Sequence, residues 1–258
     1  MLNIYLYSIA FIFGSIVGSF LNVAIIRLPK GESILFPPSH CPGCGKPIKF
    51  YDNVPILSYI LLRGKCRNCQ AKISLQYPLV EFLAGTLSLA IFFKFPIFPF
   101  YIIYFVLIAA LIVVSFIDLE HRIIPDLITL PGIPVGFAAS FFLPEITYPD
   151  SLAGIFLGGG TLYLIALTYH ILTKKEGMGG GDIKLLAMLG GFIGIKGVLF
   201  TIFFGSLLGT LVGVVMIFFG KKGRFYAIPF GPFLSTASVI YLFFGKSILT
   251  WYLGTLSI

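Results

Sequence analysis

Three carboxylates in this sequence abut or enter long apolar runs: Glu81, Asp118 and Asp182. A charge inside hydrocarbon costs about 2.5 to 3.5 kcal/mol even on the mildest scale, so each needs a partner or a function. Asp118 closes one apolar run and Asp182 opens another, and alternating the chain across a bilayer brings both to one side and one depth. Two carboxylates that meet in a partly dry site share a proton, the arrangement of aspartic proteolysis. The ionised partner takes a proton from water while the protonated one polarises the scissile carbonyl, and the roles reverse when the amine leaves. Ion or proton transport is the alternative use of such acids. His40, His121 and His170 form no Ser/His or Cys/His arrangement, and most other carboxylates read as solvated loop charges. Asp126, just after Pro125, reads as a helix N-terminal residue.

The run Gly177-Met178-Gly179-Gly180-Gly181 precedes Asp182. Glycine there lets backbone approach backbone and frees amides to hold an extended peptide beside the carboxylate, which makes Gly179, Gly180 and Gly181 candidates for substrate binding. A merely flexible loop is the alternative. Glu81 is a candidate for substrate or cofactor contact, against a structural partner of an Arg or Lys.

All four cysteines lie in one polar stretch, as Cys41-Pro-Gly-Cys44 and Cys66-Arg-Asn-Cys69 separated by 21 residues. This spacing matches a tetrathiolate zinc site, slightly wider than usual. Four equal ligands leave no open position, so Zn2+ is expected to be structural, holding a loop with little core of its own. Two disulfides or a redox pair are the competing readings.

These groups need elements to position them. The chain is 58% hydrophobic and only 11% charged, with a mean hydropathy of +1.01, which excludes an ordinary soluble domain. Apolar runs at 4–26, 79–96, 98–117, 127–143, 151–172, 183–194, 197–219 and 232–254 predict an all-α polytopic membrane protein of about eight transmembrane helices. The sixth run is short and glycine-interrupted. Residues 1–27 form the first helix, retained rather than cleaved as a signal, 28–77 the cysteine insert, and 78–258 the remaining membrane domain. Gly14 and Gly18 give the first helix a face for close packing. Numbering the connections alternately places fifteen Lys and Arg on one side and three (Lys94, Lys196, Lys246) on the other. That bias predicts a cytoplasmic insert and both termini outside. The net charge of +8 is then explained by topology and anionic lipid, and no nucleic-acid partner is expected.

The motifs together resemble the type IV prepilin peptidases, bifunctional leader peptidases and N-methyltransferases of pilus and type II secretion systems. The likeness runs through Gly18-Ser19-Phe20-Leu21-Asn22, Arg27-Leu28-Pro29, both cysteine pairs and Tyr77-Pro78-Leu79-Val80-Glu81. It continues through Ile117-Asp118 to Pro125-Asp126, Gly179-Gly180-Gly181-Asp182-Ile183-Lys184, and Ile228-Pro229-Phe230-Gly231-Pro232. The resemblance implies that Asp118 and Asp182 are the catalytic pair, the second within a GxGD signature. It also implies prepilin or pseudopilin substrates cut at the cytoplasmic face of the bacterial inner membrane. Methylation of the new N-terminus by S-adenosylmethionine is implied too, because the cysteine insert accompanies bifunctional members. A peptidase without methylation, a transporter and a membrane assembly scaffold are the alternatives. The residues that hold the methyl donor and the oligomeric state are not legible from sequence.

Overall fold

The computed structural model describes residues 2–175, 179–219 and 228–256. Gly177 and Met178 of the glycine run, and the basic residues Lys221, Lys222 and Arg224, lie outside the described residues. The order is α1 (Leu2–Arg27), α2 (Leu57–Leu61), α3 (Gln76–Lys94), α4 (Phe98–His121), α5 (Asp126–Ala139), α6 (Tyr148–Thr173), α7 (Gly180–Phe219) and α8 (Gly231–Leu256), with no strand among the described residues. The chain forms two compact units, Met1–Val113 and Val114–Ile258, and α4 passes from one into the other.

Each of the eight expected apolar runs is helical, but they occupy seven elements, and six of these are long and apolar enough to cross a membrane. Two physical features separate six from eight. The sixth and seventh runs belong to the single element α7, in which Gly194 alone leaves helical geometry (φ 65°, ψ −173°). The fourth run is α5, whose 14 residues rise about 21 Å against the roughly 30 Å of a bilayer core. Two prolines, Pro131 and Pro134, sit within it.

In the first unit α1 and α3 pack through small residues. A Cβ on Gly14 would meet Ser88, and one on Gly18 would lie 2.8 Å from the Glu81 Cα, so the backbones meet where only glycine fits. Buried Ser88 donates to the Ala10 carbonyl at 2.6 Å and lies 2.7 Å from the Tyr101 hydroxyl, which ties α1, α3 and the start of α4 together. The opposite side of α1 exposes Ile4, Tyr5, Ile9, Ile12 and Ile16. Such a stripe is an aggregation liability in water and the normal lipid-facing side in a bilayer.

In the second unit the first half of α7 is enclosed by α5 and α6. Leu185, Leu186, Met188 and Leu189 are almost wholly buried. Glycines set the spacing: Gly132 lies on Met188, Gly136 on Phe192, Gly154 on Gly190 and Gly158 on Leu186. Buried Ser151 donates to the Gly191 carbonyl at 2.8 Å. At the Gly194 break the Asp150 carboxylate accepts the freed Ile195 amide at 3.2 Å, and a Cβ on Gly194 would strike that carboxylate. The second half of α7 runs along α8, with Gly205 against Leu234, Gly209 against Phe233 and Gly197 against Tyr241.

Candidate active site and metal centre

Asp118 sits in the last turn of α4, 5% exposed, after the fully buried Val114 and Ile117. Its Oδ2 accepts the Gly231 amide at 2.9 Å. Gly231 is the first residue of α8, so its N–H is one of the helix-start donors without an internal partner, and an acid there gains from the helix dipole. A Cβ on Gly231 would lie 2.7 Å from Asp118 Oδ2 and 3.1 Å from Ile124 Cδ1. The chain leaves α4 through Arg122, whose φ of 56° and amide bond to the Asp118 carbonyl at 2.9 Å form a left-handed helix end. Ile124 follows and contacts both neighbours of the acids, since a Cβ on Gly181 would lie 2.8 Å from the Ile124 Cβ.

Asp182 stands in the first turn of α7, its amide bonded to the Gly179 carbonyl at 3.2 Å. Its neighbour Gly181 and the Asp118 partner Gly231 both lie against Ile124, and its Oδ1 is buried with no hydrogen-bond partner. A buried acceptor without a donor costs about 1 to 3 kcal/mol and calls for an explanation. Asp118 and Asp182 thus belong to the same unit, with Ile124 between the glycines beside them. The three glycines before Asp182 separate. Gly181 is packed on Ile124, whereas a Cβ on Gly180 would meet nothing within 4 Å, and one on Gly179 would face the acid, 3.8 Å from Asp182 Oδ2. Asp126 does begin α5, and it also pairs with Lys184 at 2.7 Å. That pair is exposed and adds little stability, but it joins the starts of α5 and α7.

Sequence reasoning gave no role to Gly231, Ile124, Asp150 or Gly194. Ile124 and Gly231 fall within motifs that carry the family resemblance, but the glycine between Phe230 and Pro232 by itself reads as an ordinary turn into a helix.

In the first unit the four cysteines converge, with all Sγ atoms within 4.8 Å of one another. Cys41 and Cys69 Sγ are 3.7 Å apart, close to the roughly 3.8 Å edge of a tetrahedron with metal–sulfur bonds of about 2.3 Å, and too far for a disulfide. Two copies of one backbone device build the cluster. Cys41 accepts the Gly45 amide at 2.8 Å and donates to the Lys46 carbonyl at 2.9 Å; Cys66 accepts the Gln70 amide at 3.0 Å and donates to the Ala71 carbonyl at 2.9 Å. Gly45 and Gln70 hold matching φ values of 68° and 60°. The Cys69 and Asn68 amides hold the Cys66 thiol down at about 6. The Ala71 amide draws Cys69 the same way, but desolvation and the neighbouring sulfurs outweigh it and push that thiol up to about 11. With their sulfurs converging in this way, these four residues could hold a metal ion. Asp52 and Arg67 clamp the insert at 2.6 Å, and this guanidinium beside Asp52 holds its carboxyl below the usual range.

Glu81 lies in the same unit, 7% exposed on α3. Its Oε2 accepts the Ile56 amide at 2.7 Å. No lysine or arginine pairs with it among the described residues.

A profile described as the bacterial peptidase A24 N-terminal domain matches residues 12–95, and one described as the type IV leader peptidase family matches residues 105–214, which include both aspartates. The chain belongs to the type IV leader peptidase family. Among its relatives, a prepilin leader peptidase/N-methyltransferase of Aeromonas hydrophila is 35% identical over 271 residues, covering 96% of this chain and 93% of the relative. Proteins of the same name from Pseudomonas aeruginosa and Myxococcus xanthus are 35% and 39% identical, covering 93% and 80% of this chain and 91% and 62% of the relative. No solved structure matches. As a leader peptidase family member with several membrane-spanning helices, the chain is a bacterial inner-membrane protein.

Proposed function

We propose that this enzyme removes the leader of type IV prepilins and pseudopilins and N-methylates the new terminus, with Asp118 and Asp182 as the peptidase pair. Two acids at helix ends beside Ile124, Asp118 buried and tied to the Gly231 amide and Asp182 half-buried with one buried oxygen that lacks a donor, are the observation that carries the reading. One proton shared between the acids lets one activate water while the other polarises the scissile carbonyl. A water or a substrate carbonyl would supply what Asp182 Oδ1 lacks. The open backbone at Gly179 and Gly180 suits an extended peptide beside the acids, while Gly181 serves by fitting against Ile124.

The four cysteines are the ligands of a structural Zn2+, and S-adenosylmethionine supplies the methyl group. In functional terms, residues 1–27 are the first transmembrane helix, 28–77 the zinc insert and 78–258 the peptidase domain. The eight Lys and Arg from Arg27 to Lys72 support a cytoplasmic insert, and α5 and α6 as two crossings would return Asp182 to the side of Asp118. Cleavage of a purified prepilin in detergent tests the reading: Asp118→Asn and Asp182→Asn should each abolish it while the protein still accumulates in the membrane. Normal processing by either variant would refute the assignment.

A further inference from the structure

α1 and α3 bury a set of hydrogen-bond acceptors that their own packing does not use. Gly18 lies against the Glu81 Cα. One turn further along α1, Asn22 Nδ2 donates to the Tyr77 carbonyl at 3.1 Å and to the Gly18 carbonyl at 3.3 Å. Tyr77 is one turn before Glu81 on α3, so Asn22 and Glu81 occupy successive rungs of the same helix contact, about 6 Å apart along the axis. Because two carbonyls accept from the Asn22 nitrogen, its amide orientation is fixed, and its Oδ1 is left buried without a donor in a residue only 1% exposed. Glu81 spends one oxygen on the Ile56 amide, and Ser19 follows Gly18 where α1 meets the Glu81 backbone. A carboxylate has about four acceptor positions, so capacity remains, and no Lys or Arg among the described residues fills it. Ile56 itself is β-branched and held at φ 62°, a costly conformation that persists only when surroundings enforce it.

We propose that Glu81, Asn22 and Ser19 form a binding site for a primary ammonium group. Three acceptors, the Glu81 carboxylate, the Asn22 carbonyl oxygen and the Ser19 lone pairs, match the three N–H donors of an ammonium, and the carboxylate supplies the opposite charge that makes such bonds strong. Ser19 is half-exposed and gives the site its opening. The inference rests on the methyl-transfer part of the proposed function, because that reaction brings two such groups together: the peptide N-terminus freed by cleavage and the amino end of the methyl donor. It assigns the amine-holding residues to the first unit, away from the aspartate pair in sequence and in chain unit.

The test uses the full-length protein in detergent, wild type and Glu81→Gln. Glutamine keeps an acceptor for the Ile56 amide and removes only the charge. Equilibrium binding is measured for three probes: a peptide with a free N-terminal amine, its N-acetylated counterpart, and S-adenosylhomocysteine. The expected result is a loss of at least about thirtyfold for one amine-bearing probe, the low end of what a missing buried charge partner costs, with no change for the acetylated peptide. Loss for the free peptide assigns the site to the product terminus, and loss for S-adenosylhomocysteine assigns it to the methyl donor. Methyl transfer should also fall at least tenfold more than cleavage, and Ser19→Ala should lower the affinity for the same probe. Unchanged affinity for both amine probes, or an equal fall in methylation and cleavage, would overturn the proposal. A wild-type protein that cleaves but transfers no methyl group would instead remove the reading on which it stands.

Discussion

At the scale of the residue, the candidate peptidase site depends on glycines as much as on acids. Gly231 brings a helix-start amide to Asp118 with no room for a methyl group, whereas Gly180 faces open space. Gly231→Ala should therefore displace the Asp118 carboxylate or α8 and lower cleavage by about a hundredfold, the cost of an ångström-scale misplacement at a reacting centre. Gly180→Ala should stay within a few-fold of wild type. Comparing kcat/KM for the two variants checks this, and equal losses would count against the steric role of Gly231. The acids were legible in the sequence because a charge inside an apolar run stands out against its neighbours. Gly231 was not, since nothing local distinguishes a glycine that touches a carboxylate 113 residues earlier in the chain from one that begins a helix. Asn22 was hidden for a similar reason: its unpaired oxygen exists only once Gly18 and Tyr77 have claimed its nitrogen.

At the scale of the element, α7 is governed by its break. Gly194 occupies a backbone region that is essentially closed to other residues, at a cost of order 1 to 3 kcal/mol, and Asp150 accepts the amide that the break frees. Gly194→Ala should destabilise the protein by both strain and collision with Asp150, and Asp150→Ala by loss of the amide's partner alone, about 1 to 2 kcal/mol. Thermal unfolding in detergent should rank the alanine at 194 as the more damaging; the reverse order would mean that the break is not held by this pair. The sequence marked the place, since two apolar runs part around Ile195 and Lys196, but it could not tell a loop between two helices from one element with a single non-helical residue. The cysteine insert was more readable, because paired CxxC spacing constrains sulfur positions directly. That its two knuckles repeat the same backbone hydrogen bonds follows from Gly45 and Gln70 sharing a left-handed turn, which Gln70 does not advertise.

At the scale of the whole molecule, the candidate sites divide with the chain. The cysteines, Glu81 and Asn22 belong to the unit Met1–Val113, and Asp118, Asp182, Gly231 and Ile124 to Val114–Ile258. Removing the metal with a chelator should therefore abolish methyl transfer at a lower chelator concentration than cleavage, as read by parallel assays on one prepilin. Simultaneous loss would show that the insert supports the entire fold. Composition and periodicity made the membrane class and the helical runs legible, but the number of crossings depends on lengths that hydropathy alone does not fix. The shortest of these elements has the widest consequence. α5 exposes Leu127, Leu130 and Val135, yet it rises about 21 Å where lipid tails ordinarily fill about 30 Å. Acyl chains beside it must shorten, tilt or yield to headgroups and water, each at a fraction of a kcal/mol per ångström. Were α5 to cross, bilayer thickness would become a variable acting at the helix that begins eight residues after Asp118.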